Sequence, residues 1–128
     1  MPMTDWCELK MLQALVSNAP QMYLALFTST PSSGGTGGTE VAGTGYARQL
    51  IPFGTPATDG NGDTYMANAT PFSFPRAESD WGQIAAWGVF DAAEDGHLLW
   101  FQPFETPRAV LSGQAVAVRE GNLILAVE

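Results

Sequence analysis

The sequence predicts a mainly β protein: a single β-sandwich, jelly-roll or immunoglobulin-like, of about eight strands behind one N-terminal α-helix. Three observations carry this. Apolar residues change from helical to near-alternating spacing close to residue 20. Short apolar runs then recur between Gly, Asn, Asp and Pro turns. The 128 residues, 45% of them apolar, suffice for one domain, 1–128, whose folding hides roughly two thirds of the unfolded surface.

The helix is expected over about 5–18. Asp5 stands as N-cap with Glu8 three residues on, a capping-box spacing. Leu9, Leu12, Leu15 and Val16 then make one apolar stripe, and Asn18 and Pro20 stop it. From about 21 to 128 the pattern is that of the sandwich. Met22 to Phe27 is a compact apolar run and reads as a buried strand. Thr28 to Gly45 is rich in Gly, Ser and Thr and reads as a long mobile loop, too poor in apolar surface to pack by itself.

Tyr46 to Phe53 is the next expected strand, and Asp59-Gly-Asn-Gly-Asp63 a tight turn. Pro71 to Phe74, bounded by prolines, belongs at a sheet edge. Ile84 to Phe90 and Leu98 to Phe101 form a hairpin about the Glu94-Asp-Gly96 turn. Arg108 to Leu111, Ala115 to Val118 and Leu123 to Val127 complete the set, with turns at Ser112-Gly113 and Glu120-Gly121.

Charge narrows the function. Net charge is −8, with 13 acids against five bases, and Lys10, Arg48, Arg76, Arg108 and Arg119 form no run. Nucleic acid and anionic membrane are therefore not expected partners. Charged residues are only 14% of the chain, so its surface suits a life packed against neighbours. One cysteine, Cys7, allows no internal disulfide, which fits assembly in a reducing cytoplasm. No signal peptide or membrane-spanning run is read, so a soluble protein is expected.

Nothing in the motifs points to an enzyme. His97, the only histidine, has no second histidine or cysteine beside it for zinc. Cys7 has no nearby base, so it reads as a core residue. The glycine-rich loop lacks the Gly-Lys-Ser/Thr ending of a phosphate cradle. The acidic pairs Glu78/Asp80 and Glu94/Asp95 sit in turn-like stretches and read as solvated. Asp59, Asn61 and Asp63 alternate as calcium ligands do, yet Thr64 and Thr70 stand where an EF-hand needs Gly and Glu. They are a weak calcium candidate beside the plain-turn reading. No catalytic residue, cofactor or firm metal site is expected.

The second half is rich in Trp and Phe, read mostly as sandwich core, with Trp81 and Trp100 the two to test for exposure. Glu40, Tyr46 and Arg48 flank the far end of the 28–45 loop, where hydrogen bonds and an ion pair would fix it when a neighbouring subunit orders it. Glu40, Tyr46, Arg48, Trp81 and Trp100 are thus the expected subunit contacts.

An ordered string of motifs resembles a family of short tailed-phage structural proteins known as phage tail fibre proteins. It runs from Tyr23-Leu-Ala-Leu-Phe-Thr28 and Pro31 through Gly38-Thr-Glu-Val41 and Gly45-Tyr-Ala-Arg-Gln49. It continues at Trp81-Gly82, Trp87-Gly-Val-Phe-Asp-Ala92, Gly96 and Leu98-Leu-Trp100, and closes with Pro107, Val110, Gly113 and Gly121-Asn-Leu-Ile-Leu125. The resemblance spans about Met22 to Val127. It implies a virion protein with a β-sandwich fold, assembled in the host cytoplasm, and brings no catalytic residues.

The chain has no heptad shaft or triple-β repeat. On that ground the expectation is a head decoration or cement protein, a homotrimer packed on the major capsid protein or other virion proteins. The alternative is a tail fibre or a tail-associated receptor-binding module.

Overall fold

The computed structural model describes residues 4–32, 34 and 37–127. The fold is mainly β, with one N-terminal helix and several antiparallel sheets, as the pattern predicts. Where the sequence reads as one continuous sandwich after the helix, the chain divides into two interleaved compact units. One gathers Met1–Gln21, Ile51–Phe72 and Val118–Glu128; the other gathers Met22–Leu50 and Ser73–Ala117. Periodicity reports which way a residue faces, not which distant stretch its strand pairs with, so the interleaving leaves no local signal.

In the first unit, α1 (Asp5–Asn18) begins one residue earlier than the expected capping box. Thr4, with extended backbone (φ −74°, ψ 157°), is the N-cap, and its hydroxyl accepts the Cys7 N–H at 3.3 Å. Asp5 and Glu8 therefore lie in the first turn, where their charge suits the positive end of the helix. Leu12 is buried, and Leu9, Leu15 and Val16 are half-buried, so the stripe faces inward as expected. The helix packs on β4 (Ala57–Thr58) and β5 (Thr64–Ala67). β5 is the middle strand of a three-stranded sheet, between β10 (Ile124–Val127) and β4. Met66 and Leu125 face each other across that sheet, both fully buried.

A polar stitch closes this unit. Asn68 is buried, and its amide donates to the carbonyls of Thr70 (3.0 Å) and Arg119 (2.8 Å) while accepting the Leu123 N–H (3.0 Å). A buried amide with every bond made adds specificity; stripped of partners, it would cost on the order of 1–3 kcal/mol per group.

The second unit is built on a sheet ordered β2 (Thr39–Glu40), β1 (Tyr23–Ser29), β7 (Gly82–Phe90), β8 (Leu98–Val110), with β3 (Gln49–Leu50) also pairing with β1. β1 holds the apolar run: Leu24, Ala25, Leu26 and Phe27 are all buried. Ala25, Phe27 and Ala86 form a core cluster on which Phe90 and Leu98 pack. The remaining strands, β6 (Phe72–Ser73) and β9 (Ala117–Val118), pair with each other.

Four expectations are corrected here. Of the expected Tyr46–Phe53 strand only Gln49–Leu50 pairs in a sheet, because Tyr46 and Arg48 leave the strand pattern for side-chain bonds described below. The expected mobile loop from Thr28 to Gly45 contains β2, held to β1 by Phe27↔Glu40 and Ser29↔Thr39 pairing and by the Val41 N–H on the Leu26 carbonyl (3.0 Å). Its far half is therefore ordered by its own chain; residues 33, 35 and 36 of its Gly-rich centre lie outside the described residues. The expected strands Leu98–Phe101 and Arg108–Leu111 belong to one strand, β8. Finally, ten strands form among the described residues rather than about eight, several of them two residues long and too short to leave a periodic signature.

β8 joins its two halves through a bulge. Ala86 pairs with Pro103 and Ile84 with Arg108, so residues 104–107 stand opposite the single residue Ala85. That surplus is larger than the usual two against one. Pro103 and Pro107 bracket it, which an outer strand tolerates because the missing N–H groups face no partner.

Candidate functional site

Three of the expected contact residues do meet. Glu40 arrives on β2, and Tyr46 and Arg48 on the segment between β2 and β3. Arg48 grips Glu40 with a two-pronged fork, Nε to Oε2 and Nη2 to Oε1, both at 2.9 Å. Such paired, charge-assisted bonds are the strong kind. The other prong of the guanidinium donates to the carbonyls of Ala92 (3.0 Å) and Asp95 (2.7 Å) in the β7–β8 turn. Its carbon lies 3.6 Å from the centre of the Phe90 ring, a cation–π contact. The Arg48 side chain keeps only 9% of its exposure.

Tyr46 completes the cluster. Its hydroxyl donates to Glu40 Oε2 (2.5 Å) and accepts the Leu26 N–H of β1 (3.1 Å). Its ring stacks on Phe74 (centroids 5.9 Å apart) and meets the Trp81 ring edge-on at 5.5 Å. The Trp81 indole N–H donates to the Thr44 carbonyl at 3.0 Å, which also accepts the Glu78 N–H. Gly43 leaves room for this ring: a Cβ there would sit 2.3 Å from Trp81 Cδ1. Gly45 supplies the left-handed turn (φ +87°) that swings Tyr46 inward.

The electrostatics follow from these contacts. Burial alone would raise the Glu40 carboxyl, but the hydrogen bonds from Arg48 and Tyr46 and the Arg48 charge outweigh it and hold the group below its ordinary range. Burial, then the bond to Glu40, push the Tyr46 hydroxyl far above its ordinary range, so it stays protonated. Desolvation opposes the Arg48 charge, yet the Glu40 carboxylate more than restores it. Every partner is engaged. The cluster can hold the 40–48 segment and the β7–β8 turn in place; it presents no poised acid, base or nucleophile.

The other candidates lie apart. Trp81, expected as an exposed subunit contact, is 4% exposed and part of the core of its own unit, so that expectation is corrected. Its one polar group, the indole N–H, is satisfied within the chain. Trp100 is half-buried on β8 opposite Val89 and outside the cluster.

Asp59 turns its carboxylate onto its own turn, where Oδ1 accepts the N–H groups of Asn61 (2.8 Å) and Asp63 (3.1 Å). That is the hydrogen bonding of a plain Asx-type turn. Among the described residues no group of three or more His, Cys, Asp and Glu gathers as a metal site.

His97 is exposed, its N–H on Asp91 Oδ1 (2.7 Å) and its Nδ1 beside Asp91 Oδ2 (3.0 Å). First the His97 backbone N–H and then its imidazole hold the Asp91 carboxyl below the usual range. Asp80 accepts the Ser112 N–H at 2.8 Å. Cys7 is half-buried on α1.

Sequence reasoning missed Asn68, Asp91 and the Phe90 ring under Arg48. A lone Asn between strands has no motif. The spacing of Asp91 and His97 about an Asp-Gly turn could have suggested their pairing.

The model of one protein family, podophage GP4 fiber I protein gp80, matches residues 2–126, most of the chain. No curated protein sequence matches it.

Proposed function

The chain belongs to the podophage GP4 fiber I protein gp80 family, and from that premise we propose that it is a non-enzymatic structural subunit of a phage tail fibre. The family places it among virion components. The observation that carries the finer reading is the fibre family's match over residues 2–126. It favours the tail-fibre alternative over the head decoration or cement role. The lack of a shaft repeat is the one sequence feature that points toward that role. A fibre assembled from compact units set one after another needs no such repeat. On this reading its partners are other copies of itself and neighbouring virion proteins, with no nucleic acid and no membrane, and assembly takes place in the host cytoplasm.

The fibre role has a direct test. Immunogold labelling of intact particles with antibody to the chain is expected to decorate the tail appendages. Copy number per virion by quantitative mass spectrometry is expected to be a small multiple of the tail symmetry. Label spread over the head, with a copy number tracking that of the shell protein, would overturn the fibre reading in favour of decoration.

A further inference from the structure

The second unit carries three cations, Arg48, Arg76 and Arg108. Arg48 is consumed by Glu40. The other two line one groove, a cavity of about 880 Å³ between the second half of β8 and the segment 113–117. Buried Leu26, Ile84 and Val110 form its floor; exposed Arg76, Arg108 and Phe104 stand at its mouth. Arg76 spends one N–H on the Gly113 carbonyl (2.9 Å), and Arg108 pairs with no described carboxylate. Asp80 and Glu105 are nearby in sequence but do not line the groove.

The opposite end of the same hairpin is acidic. β7 and β8 pair from Gly82↔Val110, at the groove, to Phe90↔Leu98, at the turn that carries Asp91, Glu94 and Asp95. β7 has nine residues, so the two ends lie about 30 Å apart. Asp91 is engaged by His97; Glu94 and Asp95, the latter also supporting the nearby Arg48 charge, stand as the two exposed carboxylates of the tip, matching two arginines. The Arg48 bonds to the Ala92 and Asp95 carbonyls hold that turn in shape.

We propose that the groove receives the Glu94–Asp95 turn of a second copy of this chain. Opposite charge at opposite ends of one hairpin lets copies join head to tail, a heterologous contact, as well as pair reciprocally about a two-fold axis. Copies joined head to tail close into a ring, or extend as a filament, according to the rotation between them. Charge complementarity argues for this occupant: with a net charge of −8, identical chains repel unless a basic site meets an acidic one. The apolar floor and Phe104 add area that charges alone do not supply. The contact is a property of the isolated chain and is tested without particles, so its failure leaves the fibre reading standing.

The test is sedimentation velocity of the full chain. Wild type is expected to associate with rising concentration, and to do so about tenfold or more weakly in ~1 M salt, where the screening length falls to about 3 Å. A tip variant, Glu94→Gln with Asp95→Asn, and a groove variant, Arg76→Gln with Arg108→Gln, are each expected to be monomeric. Asn is chosen because Asp95 has φ +54°, which Asn tolerates.

An equal mixture of the two variants is expected to give dimers and nothing larger, since one functional groove meets one functional tip. The milder single Glu94→Gln and Arg108→Gln variants replace any that fail to fold, with the same pattern at lower amplitude. Monomeric wild type, variants that associate like wild type, or a mixture that stays monomeric each overturn the proposal. So does a wild-type groove that captures polyglutamate while the chain stays monomeric.

Discussion

β7 has two neighbours, and they follow different rules. On one side it pairs with β1 through five successive pairs, Tyr23↔Phe90 to Phe27↔Ala86, without a shift. On the other it pairs with β8 through two register shifts, two prolines and a four-residue bulge. The inner partner is a run of consecutive buried apolar side chains, in which a one-residue slip would swap the faces on which Leu24 and Leu26 and on which Ala25 and Phe27 pack. The outer partner has no strand beyond it among the described residues, so lost N–H groups and surplus residues cost little there. Rigidity is concentrated on the β1 side. Irregularity is left to the edge, where Phe104 is 39% exposed. Loops and edges that a fixed scaffold supports are where recognition usually sits.

The contrast can be broken at its inner side. Phe27 is buried against Phe90 and the Ala25–Ala86 cluster, so Phe27→Ala is expected to cost about 3–5 kcal/mol. Urea unfolding measures this as a lower midpoint at an unchanged slope; a loss under about 1 kcal/mol would mean that β1 is not the rigid side.

A smaller effect is expected at the clamp that ties the β7–β8 turn to the 40–48 segment. Arg48→Ala removes the fork, two carbonyl bonds and the Phe90 contact, at about 2–4 kcal/mol. The Glu40 part of this depends on pH. Its folded pKa lies below the ordinary value of 4.5, so its contribution is complete above about that pH and is lost as pH falls through the lower folded value. The stability difference between wild type and Glu40→Gln, followed from pH 6 downward, is expected to shrink below that point. A difference that grows on acidification would refute the clamp.

The smallest effect is expected at the edge. Phe104→Ala should stay within about 0.5 kcal/mol in the same unfolding measurement, because the ring is outside the core. A cost near that of Phe27→Ala would erase the distinction between the two sides.

This contrast also explains what could be read in advance. β1 and the β7–β8 hairpin announce themselves through apolar runs and an Asp-Gly turn, since local pattern and final burial agree there. The meeting of Glu40, Tyr46 and Arg48 was legible too, because all three lie within nine residues at one loop end. β8 misread as two strands because Pro103 and Pro107 look like terminators until the edge position is known. Thr4 outcompeted Asp5 as a cap through a backbone angle that no residue name reveals. Trp81 looked like a surface ring because its burial depends on Gly43 and Tyr46, 38 and 35 residues away. The acidic and basic ends of the hairpin were hidden for a similar reason: charges scattered in sequence become polar only when strand pairing puts them at opposite ends.

The interleaving of the units has a consequence in time. All of Met22–Ala117, which contains the second unit whole, leaves the ribosome before the stretch from Val118 onward that finishes the first. A region generally folds once its residues are available. The helix therefore emerges before the strands β4 and β5 on which it packs and must wait for them. β5 and Asn68 remain unsatisfied until Arg119, Leu123 and β10 arrive. The unit that contains the helix is thus sealed after the other can fold, and its closing is a record that translation has passed β10.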